Sequence, residues 1–429
     1  MWRFSYRLFR AVAAVTHWAN RRFTAAGMLV ASGVVITGAV GADTTQSVAY
    51  QAFALLLALI AVSALCVPLL RTRVAAERDL PRVATAGEPF SYRLRVQNLG
   101  ARALDGLTLF EDLADPRPGY DGFRAAMRIP TYRAWKRLID SRRAAYIAEQ
   151  PLPALPPRGQ AEIEVRARAL RRGTAHSDGL TVARADPLGL LKALVHVPRR
   201  ANFIVLPRRY SLPPLDLPGS RRYQPGGVAL ATSVGDSEEF IGLRDYRPGD
   251  PLQRIHWKSF ARAARPIVKE YQDEYFERHA LLLDTFAAGR DERVFEEAVS
   301  IAASFAYTID TRECLLDLMF IGAEAYTYTA GRGQMRTGNL LEILAGVQPC
   351  RDKPFSALGD AVMARRQSLT GCVCILLGWD EERARCVRRL RSHGVALRVV
   401  AVSTVPVADP PGWLLVVEPG KVQEGLAKL

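Results

Sequence analysis

HALLLD (residues 279–284) reads as a short buried strand, DERVFEEAVSIAASFAYTID (291–310) as a helix, and CLLDLMFIG (314–322) as a second buried strand. Short apolar runs bounded by turn residues fit strands covered on both faces. AYTYTAG (325–331) suggests an edge strand, MRTGNLLEILAGV (335–347) and SALGDAVMARRQ (356–367) are helical, and GCVCILLG (371–378) is strand-like again. EERARCVRRLRSHG (381–394) is a helix closed by Gly394, and ALRVVAV (396–402) and WLLVVEP (413–419) are strands. Strands alternating with helices predict a doubly wound, mostly parallel α/β sheet over 280–429.

Working outward, the pattern upstream is different. From about 80 to 207 the period shifts toward two: PFSYRLRVQNLG alternates Tyr92, Leu94 and Val96 and ends in a turn signal. LDGLTLFEDL, QAEIEVRARAL, GLTVARADPLGLL and ANFIVLP follow in the same style, which argues for a small β-sandwich over 74–208. Residues 117–149 interrupt it with a helical insertion, where Trp135, Leu138, Ile139 and Tyr146 could share one face and Arg133, Lys136, Arg137 and Arg143 decorate others. Such a helix either lies on an anionic leaflet or packs on the sandwich with a solvated basic face.

Two uncharged runs precede the sandwich, TAAGMLVASGVVITGAVGA (24–42) and SVAYQAFALLLALIAVSALCVPLL (47–70), joined by DTTQ. Each is about long enough to cross a hydrocarbon core. Residues 1–23 carry five arginines and no acid, and Arg71, Arg73, Arg78 and Arg82 follow the second run. The positive-inside rule then places both termini in the cytoplasm, with a transmembrane hairpin (spans about 24–42 and 48–70) inside residues 1–73. A cleaved signal peptide fits badly, because a second apolar run follows at once.

The formal charge of +15 sits mainly in 1–23, 71–82 and 117–143, so the remainder is close to neutral and a nucleic-acid-coating surface is a poor reading. Cys66, Cys314, Cys350, Cys372, Cys374 and Cys386 are scattered and form no C-x-x-C pair, as expected of reduced, buried thiols.

Residues 209–279 join the two regions. LPPLDLPGSRRYQPGG is a linker or surface loop. GDSEEFIGLRDYRPGDPLQRIHWKSFARAARPIVKEYQDE (235–274) is the densest cluster of charged and aromatic residues in the chain. Arg247-Pro248-Gly249 predicts a turn and Asp250 an N-cap, with Pro251 first in a helix running to about Ala264 and Gln253 completing a capping box. On that helix Arg254, Lys258 and Arg262 recur at i, i+4 and i+8 as one basic stripe. In a structural reading, Arg244, Arg254 and Arg262 form a salt-bridge lattice with Glu238, Glu239, Asp245, Glu270, Asp273 and Glu274, while Trp257 and Tyr246 pack the sheet. In a functional one, the stripe faces outward and binds an acidic partner or a phosphate. A hydrolase built on His256 with Asp250 or Asp245 has no recognisable nucleophile.

At these residues the chain resembles a bacterial family of membrane proteins, domain-of-unknown-function family 58. The resemblance rests on Glu239, Phe240, Leu243, Arg244, Tyr246, Gly249, Asp250, Arg254, Ile255, Trp257, Lys258, Ala261 and Arg262, with Arg171-Arg172-Gly173, the Asp186-Pro187-Leu188-Gly189-Leu190 turn and the IVLP strand beside them. The insertion at 117–149 lies outside the general pattern. The resemblance implies a von Willebrand factor A-like fold for the α/β region. Such domains often hold Mg²⁺ through a D-x-S-x-S loop, a Thr and a later Asp. Asp284 matches the first aspartate, Phe286 and Ala288 replace the serines, Ser356 falls where the Thr would be, and Asp380 stands for the last acid. Two direct oxygen donors are missing from a set of nearly six, so the site is degenerate, and Ser356 could equally be a helix N-cap. The resemblance further implies a non-enzymatic scaffold or adaptor acting with a MoxR-type AAA+ ATPase and other von Willebrand-domain proteins. A phosphate loop of its own is lacking, so the ATPase would be a separate chain. The alternatives are a metal-dependent ligand-binding domain keeping an ion through Asp284, Ser356 and Asp380, and the hydrolase.

Overall fold

The computed structural model describes residues 2–40, 47–70, 72–127, 129–215, 217, 240–250, 252–271, 277–287, 291–309, 311, 314–331 and 336–429. The chain is multidomain and divides into two compact units, Met1–Arg208 and Arg209–Leu429.

The first unit opens with the helices α1 (Trp2–Arg22), α2 (Ala25–Val40) and α3 (Ser47–Cys66), the last prolonged by a 3-10 turn over Val67–Leu70. Val48–Leu70, 23 residues, is long and apolar enough to cross a membrane, with a mean hydropathy of 2.8 over an 18-residue stretch. α2 is equally apolar but has 16 described residues, about 24 Å at the helical rise, short of the ~30 Å hydrocarbon core. The DTTQ connector lies outside the described residues. α2 packs closely on α3: a Cβ on Gly33 or Gly38 would come within 3.0 Å of Leu56 or Phe53.

Among the described residues nine strands follow: β1 (Val74–Asp79), β2 (Val83–Thr85), β3 (Pro89–Asn98), β4 (Leu107–Leu113), β5 (Ala145–Ile147), β6 (Gln150–Pro151), β7 (Gln160–Ala169), β8 (Gly173–Ala185) and β9 (Lys192–Leu206). They form two sheets, β1-β3-β7-β5 and β2-β9-β8-β4-β6, antiparallel except at β2–β9. Period-two alternation puts Tyr92, Leu94, Val96 and Val165 of one sheet against Leu107, Leu109, Leu180 and Val182 of the other in a shared core. Within it Arg78 pairs with Glu111, which also accepts from the hydroxyls of Ser177 (2.7 Å) and Tyr92 (2.9 Å).

The insertion forms α4 (Tyr120–Ala126) and α5 (Tyr132–Arg142). Its apolar face packs not on the sandwich but under α1, where Phe123, Met127 and Trp135 surround Tyr6. Leu138 and Ile139 share that face, whereas Tyr146 belongs to β5 and is exposed, because α5 stops at Arg142.

The turn between β8 and β9 locks onto the start of α2. Asp186 accepts the amides of Leu188 (3.2 Å), Leu190 and Leu191 (both 2.7 Å). Burial works against its charge, but these amides hold its carboxyl below the ordinary value. The Thr24 amide donates to the Leu190 carbonyl at 3.0 Å, and a Cβ on Gly27 would stand 1.9 Å from that oxygen, so only glycine lets the turn approach.

The second unit holds a two-stranded antiparallel sheet of β10 (Phe240–Asp245) and β11 (Ile267–Tyr271), bridged by α6 (Trp257–Ala263). The larger sheet uses β12 (Glu277–Leu283), β13 (Cys314–Ile321), β14 (Ala325–Ala330), β15 (Gly371–Leu376), β16 (Leu397–Val402) and β17 (Leu414–Val417). Between and after these strands come α7 (Glu292–Thr308), α8 (Thr337–Gly346), α9 (Ser356–Arg365), α10 (Glu381–Ser392) and α11 (Val422–Leu426). The order is β14-β13-β12-β15-β16-β17, parallel throughout except that β14 runs antiparallel at the edge. The chain first builds outward from β12 on one side and then returns to its other side at β15. The strand order therefore reverses between β12 and β15, the position where open α/β sheets place ligand sites.

Candidate functional site

At that reversal the apolar run of β12 ends in Asp284, fully buried. Its Oδ1 accepts the Phe286 amide (2.9 Å), and its Oδ2 accepts the Leu377 amide at the end of β15 (2.9 Å). Asp380 caps α10, accepting the Arg383 amide at 3.0 Å. That first turn aims the Arg383 side chain back across the sheet end. Its Nε donates to Asp284 Oδ2 (2.6 Å), Nη1 to Asp380 Oδ2 (2.5 Å) and Nη2 to the Phe286 carbonyl (3.2 Å). The guanidinium also lies over the Phe355 ring, 4.8 Å from its centroid.

Burial pushes the Asp284 carboxyl up from its ordinary value, against the pull of Arg383. Burial also penalises the arginine's charge, but attraction to Asp284 and Asp380 outweighs it and holds the guanidinium more firmly protonated than usual.

The expected metal residues are thus only partly brought together. Asp284 and Asp380 face a common point, but Arg383 fills it. Ser356 is exposed as the first residue of α9, and Phe355, not Ser356, stands at the cap position. The Phe286 ring packs edge-on to Phe355 at 5.5 Å, and Ala288 lies outside the described residues. Among the described residues no group of three or more His, Cys, Asp or Glu could hold a metal. Mg²⁺ demands near-octahedral oxygen ligation, and a fixed guanidinium between the two carboxylates is incompatible with it. These residues do not fit the ion. Sequence inspection misses Arg383 because it sits in an arginine-rich helix; the faint signal is Asp380 three residues ahead of it.

The signature segment departs from its expected helix. Ile255 bridges to Val268, and the His256 amide donates to the Ile267 carbonyl at 2.8 Å, so strand-like pairing breaks the run into a 3-10 turn (Leu252–Arg254) and α6. Asp250 consequently caps no long helix. It takes Arg244 in a two-pronged ion pair (2.7 and 2.8 Å) and accepts the Arg247 amide at 2.8 Å, closing the turn that Gly249 makes at φ +109°. Arg244, and then the Arg247 amide, pull its carboxyl down to about 2.

The single basic stripe does not form either: Arg254 is half-buried in the 3-10 turn, while Lys258 and Arg262 are exposed on α6. Trp257 does not pack the sheet; it is 65% exposed, edge-on to the exposed Phe260 at 6.0 Å. Tyr246 is half-buried, Arg265 pairs with Asp245 at 3.2 Å, and Glu239, Asp273 and Glu274 lie outside the described residues. His256 Nδ1 lies 2.6 Å from Ser259 Oγ, one turn along, which closes the start of α6. Asp245 and Asp250 are committed to arginines, so neither orients that histidine for nucleophilic chemistry.

The second unit is therefore an α/β domain with an internal ion-pair cluster at its strand reversal and an exposed aromatic-basic segment. Residues 242–410, which span both features, match the family model described as "Protein of unknown function DUF58". A distant relative is the "Uncharacterized protein YeaD" of Bacillus subtilis (strain 168), 26% identical over 178 residues that make up 41% of this chain and 42% of the relative. The chain thus spans less than half the length of the curated relative it matches. Among solved structures, Escherichia coli alpha-2-macroglobulin shows 16% identity and a TM-score of 0.20, covering 42% of this chain and 9% of that one. A CARDB domain from Pyrococcus furiosus shows 14% identity and a TM-score of 0.18, covering 31% and 86%. Likenesses this slight bear on neither fold nor function.

Proposed function

We propose that this chain is a membrane-anchored, cytoplasm-facing docking protein without catalytic chemistry, whose second unit is a von Willebrand factor A-like domain working without a metal. The observation that carries the reading is Arg383, lodged between Asp284 and Asp380 where the fold would otherwise offer a ligand-binding metal. The sheet order with its antiparallel edge strand β14 supports the domain assignment. Close packing of α2 on α3, with arginine-rich flanks on both sides, supports a two-helix hairpin with both termini in the cytoplasm. The partner surface is the signature segment, where Trp257 and Phe260 stand exposed beside Lys258 and Arg262; an aromatic patch ringed by cations suits an acidic partner with an apolar centre. The family resemblance makes that partner a MoxR-type AAA+ ATPase, with other von Willebrand-domain membrane proteins in the same assembly.

The test is a mild-detergent pull-down of the intact chain with and without ATP, beside a Trp257→Ala/Lys258→Glu variant, each with and without a chelator. Co-purification of an AAA+ ATPase that survives chelation and is lost in the variant supports the proposal. Capture abolished by chelation would return the domain to metal-dependent binding, and no ATPase in any sample would remove the adaptor role.

A further inference from the structure

The helix α1 carries two apolar faces, and the fold uses one. Trp2, Tyr6 and Phe9 face the insertion: Tyr6 lies 5.4 Å from Phe123 and 6.0 Å from Trp135, ring to ring, and Phe9 lies 5.8 Å from Tyr132. The Tyr6 hydroxyl donates to the Pro118 carbonyl at 3.3 Å, and Arg21 pairs with Asp112 of β4. The helix is held firmly by that side. On the other, Phe4, Leu8, Val12, Val15 and Trp18 are 71%, 48%, 41%, 63% and 56% exposed. Their spacing of i, i+4, i+8, i+11 and i+14 makes one continuous stripe. Arg3, Arg7 and Arg10 run beside it, and α1 contains no acid.

Two observations say what covers this stripe. First, only Phe23 and Thr24 separate α1 from the apolar helix α2, and Trp18 packs edge-on to Phe23 at 6.0 Å. The helix is continuous with the membrane anchor and delivers a tryptophan to the junction, where interfacial aromatics belong. Second, Arg3, Arg7 and Arg10 lie beside the stripe, and the insertion held against the inner face of α1 adds Arg124, Arg133, Lys136, Arg137, Arg142 and Arg143, so the net positive charge of this part of the fold suits an anionic surface.

We infer that α1 lies in the plane of the membrane–water interface, with its Phe4–Trp18 stripe sunk to the acyl boundary of an anionic phospholipid leaflet and its arginines at headgroup level. The insertion at 117–149 is the clamp that presents it. Its tryptophan and phenylalanine fill the inner face of α1 so that the outer face is free for lipid. This rests on the membrane-anchor reading and not on any partner.

The test reconstitutes the full chain into phosphatidylglycerol-containing vesicles and compares it with Trp18→Phe, so that the difference in emission reports Trp18 alone. Lipids brominated on the acyl chain should quench most of that difference emission, and aqueous iodide should leave it nearly unchanged. Quenching by iodide and not by bromolipid would overturn the inference, as would resistance to both, which would mean that a second copy or another protein covers the stripe. A Leu57→Trp variant in α3 separates the two levels of argument. Loss of bromolipid quenching there would overturn the anchor reading itself, whereas quenching at Leu57→Trp but not at Trp18 would sink only the interfacial helix.

Discussion

In the sandwich, Arg78 and Glu111 face each other with side-chain exposures of 4% and 1%, sealed between two sheets and joined by Ser177 and Tyr92. In the α/β unit, Arg383 and Asp284 are as deeply buried, at 5% and 0%, but the second carboxylate, Asp380, is 42% exposed. The chemistry of the two clusters is nearly the same and their electrostatics are opposite. Burial draws the Arg78 guanidinium down from its ordinary value, whereas at Arg383 two carboxylates outweigh the same penalty. One cluster braces a closed core; the other supplies a fixed cation at the mouth of a parallel sheet. Location within the fold, more than residue type, separates a brace from a candidate site.

The sharpest way to break the comparison is Arg383→Leu, which strands Asp284 in an apolar site. Its cost should be about 3–5 kcal/mol, read by denaturant unfolding of the second unit. Adding Asp284→Asn should recover a large part of that loss, because the uncompensated charge is removed with its partner. A silent Arg383→Leu would mean that the ion pair is incidental. Next comes Glu111→Gln in the sandwich. Arg78 keeps the Ser177 hydroxyl and the Arg199 carbonyl, so the loss should sit near the lower end of that range, about 3 kcal/mol. A loss larger than that of Arg383→Leu would invert the ranking.

Tyr92→Phe should cost about 1 kcal/mol, the worth of one internal hydrogen bond. Burial pushes the Tyr92 hydroxyl up to about 12, so its tyrosinate absorbance should appear only near that pH, well after exposed tyrosines have ionised. The smallest effect is at Asp250. Its folded value is depressed from 3.8 to about 2, so its stabilising contribution is complete above 3.8 and fades as pH falls toward 2. The Arg247 amide resonance should titrate with a midpoint near 2; a midpoint near 3.8 would mean that the Arg244 pair does not hold in solution.

The strand and helix runs from His279 onward were legible because buried parallel strands write themselves as uninterrupted apolar stretches. The end of β12 at Asp284 was legible for the same reason. What sits on Asp284 was not: Arg383 lies 99 positions away, in a helix whose arginines are indistinguishable by local pattern. Arg78 and Glu111, 33 positions apart on alternating strands, look like ordinary solvent-facing charges for the same reason. The signature segment misled in the opposite sense. Its cap residues and its i, i+4 spacing favour one helix locally, and the long-range bridge from Ile255 to Val268 overrides them. The insertion's Trp135 face was visible as amphipathic, yet its partner, Tyr6, precedes it by more than a hundred residues and forms no joint pattern with it.

The turn at Asp186–Leu190 has a mechanical meaning. β9 begins just after it and runs 15 residues, about 50 Å when extended, to the boundary where the second unit starts. A tug on the chain beyond Arg208 loads β9 along its length, in shear against β8, and arrives at Leu191 and Leu190. There the Leu190 carbonyl abuts Gly27 and holds the Thr24 amide, with no slack loop between sheet and helix to absorb the displacement. A pull on the chain beyond Arg208 is therefore passed along β9 to the start of α2 and is not taken up by an intervening loop.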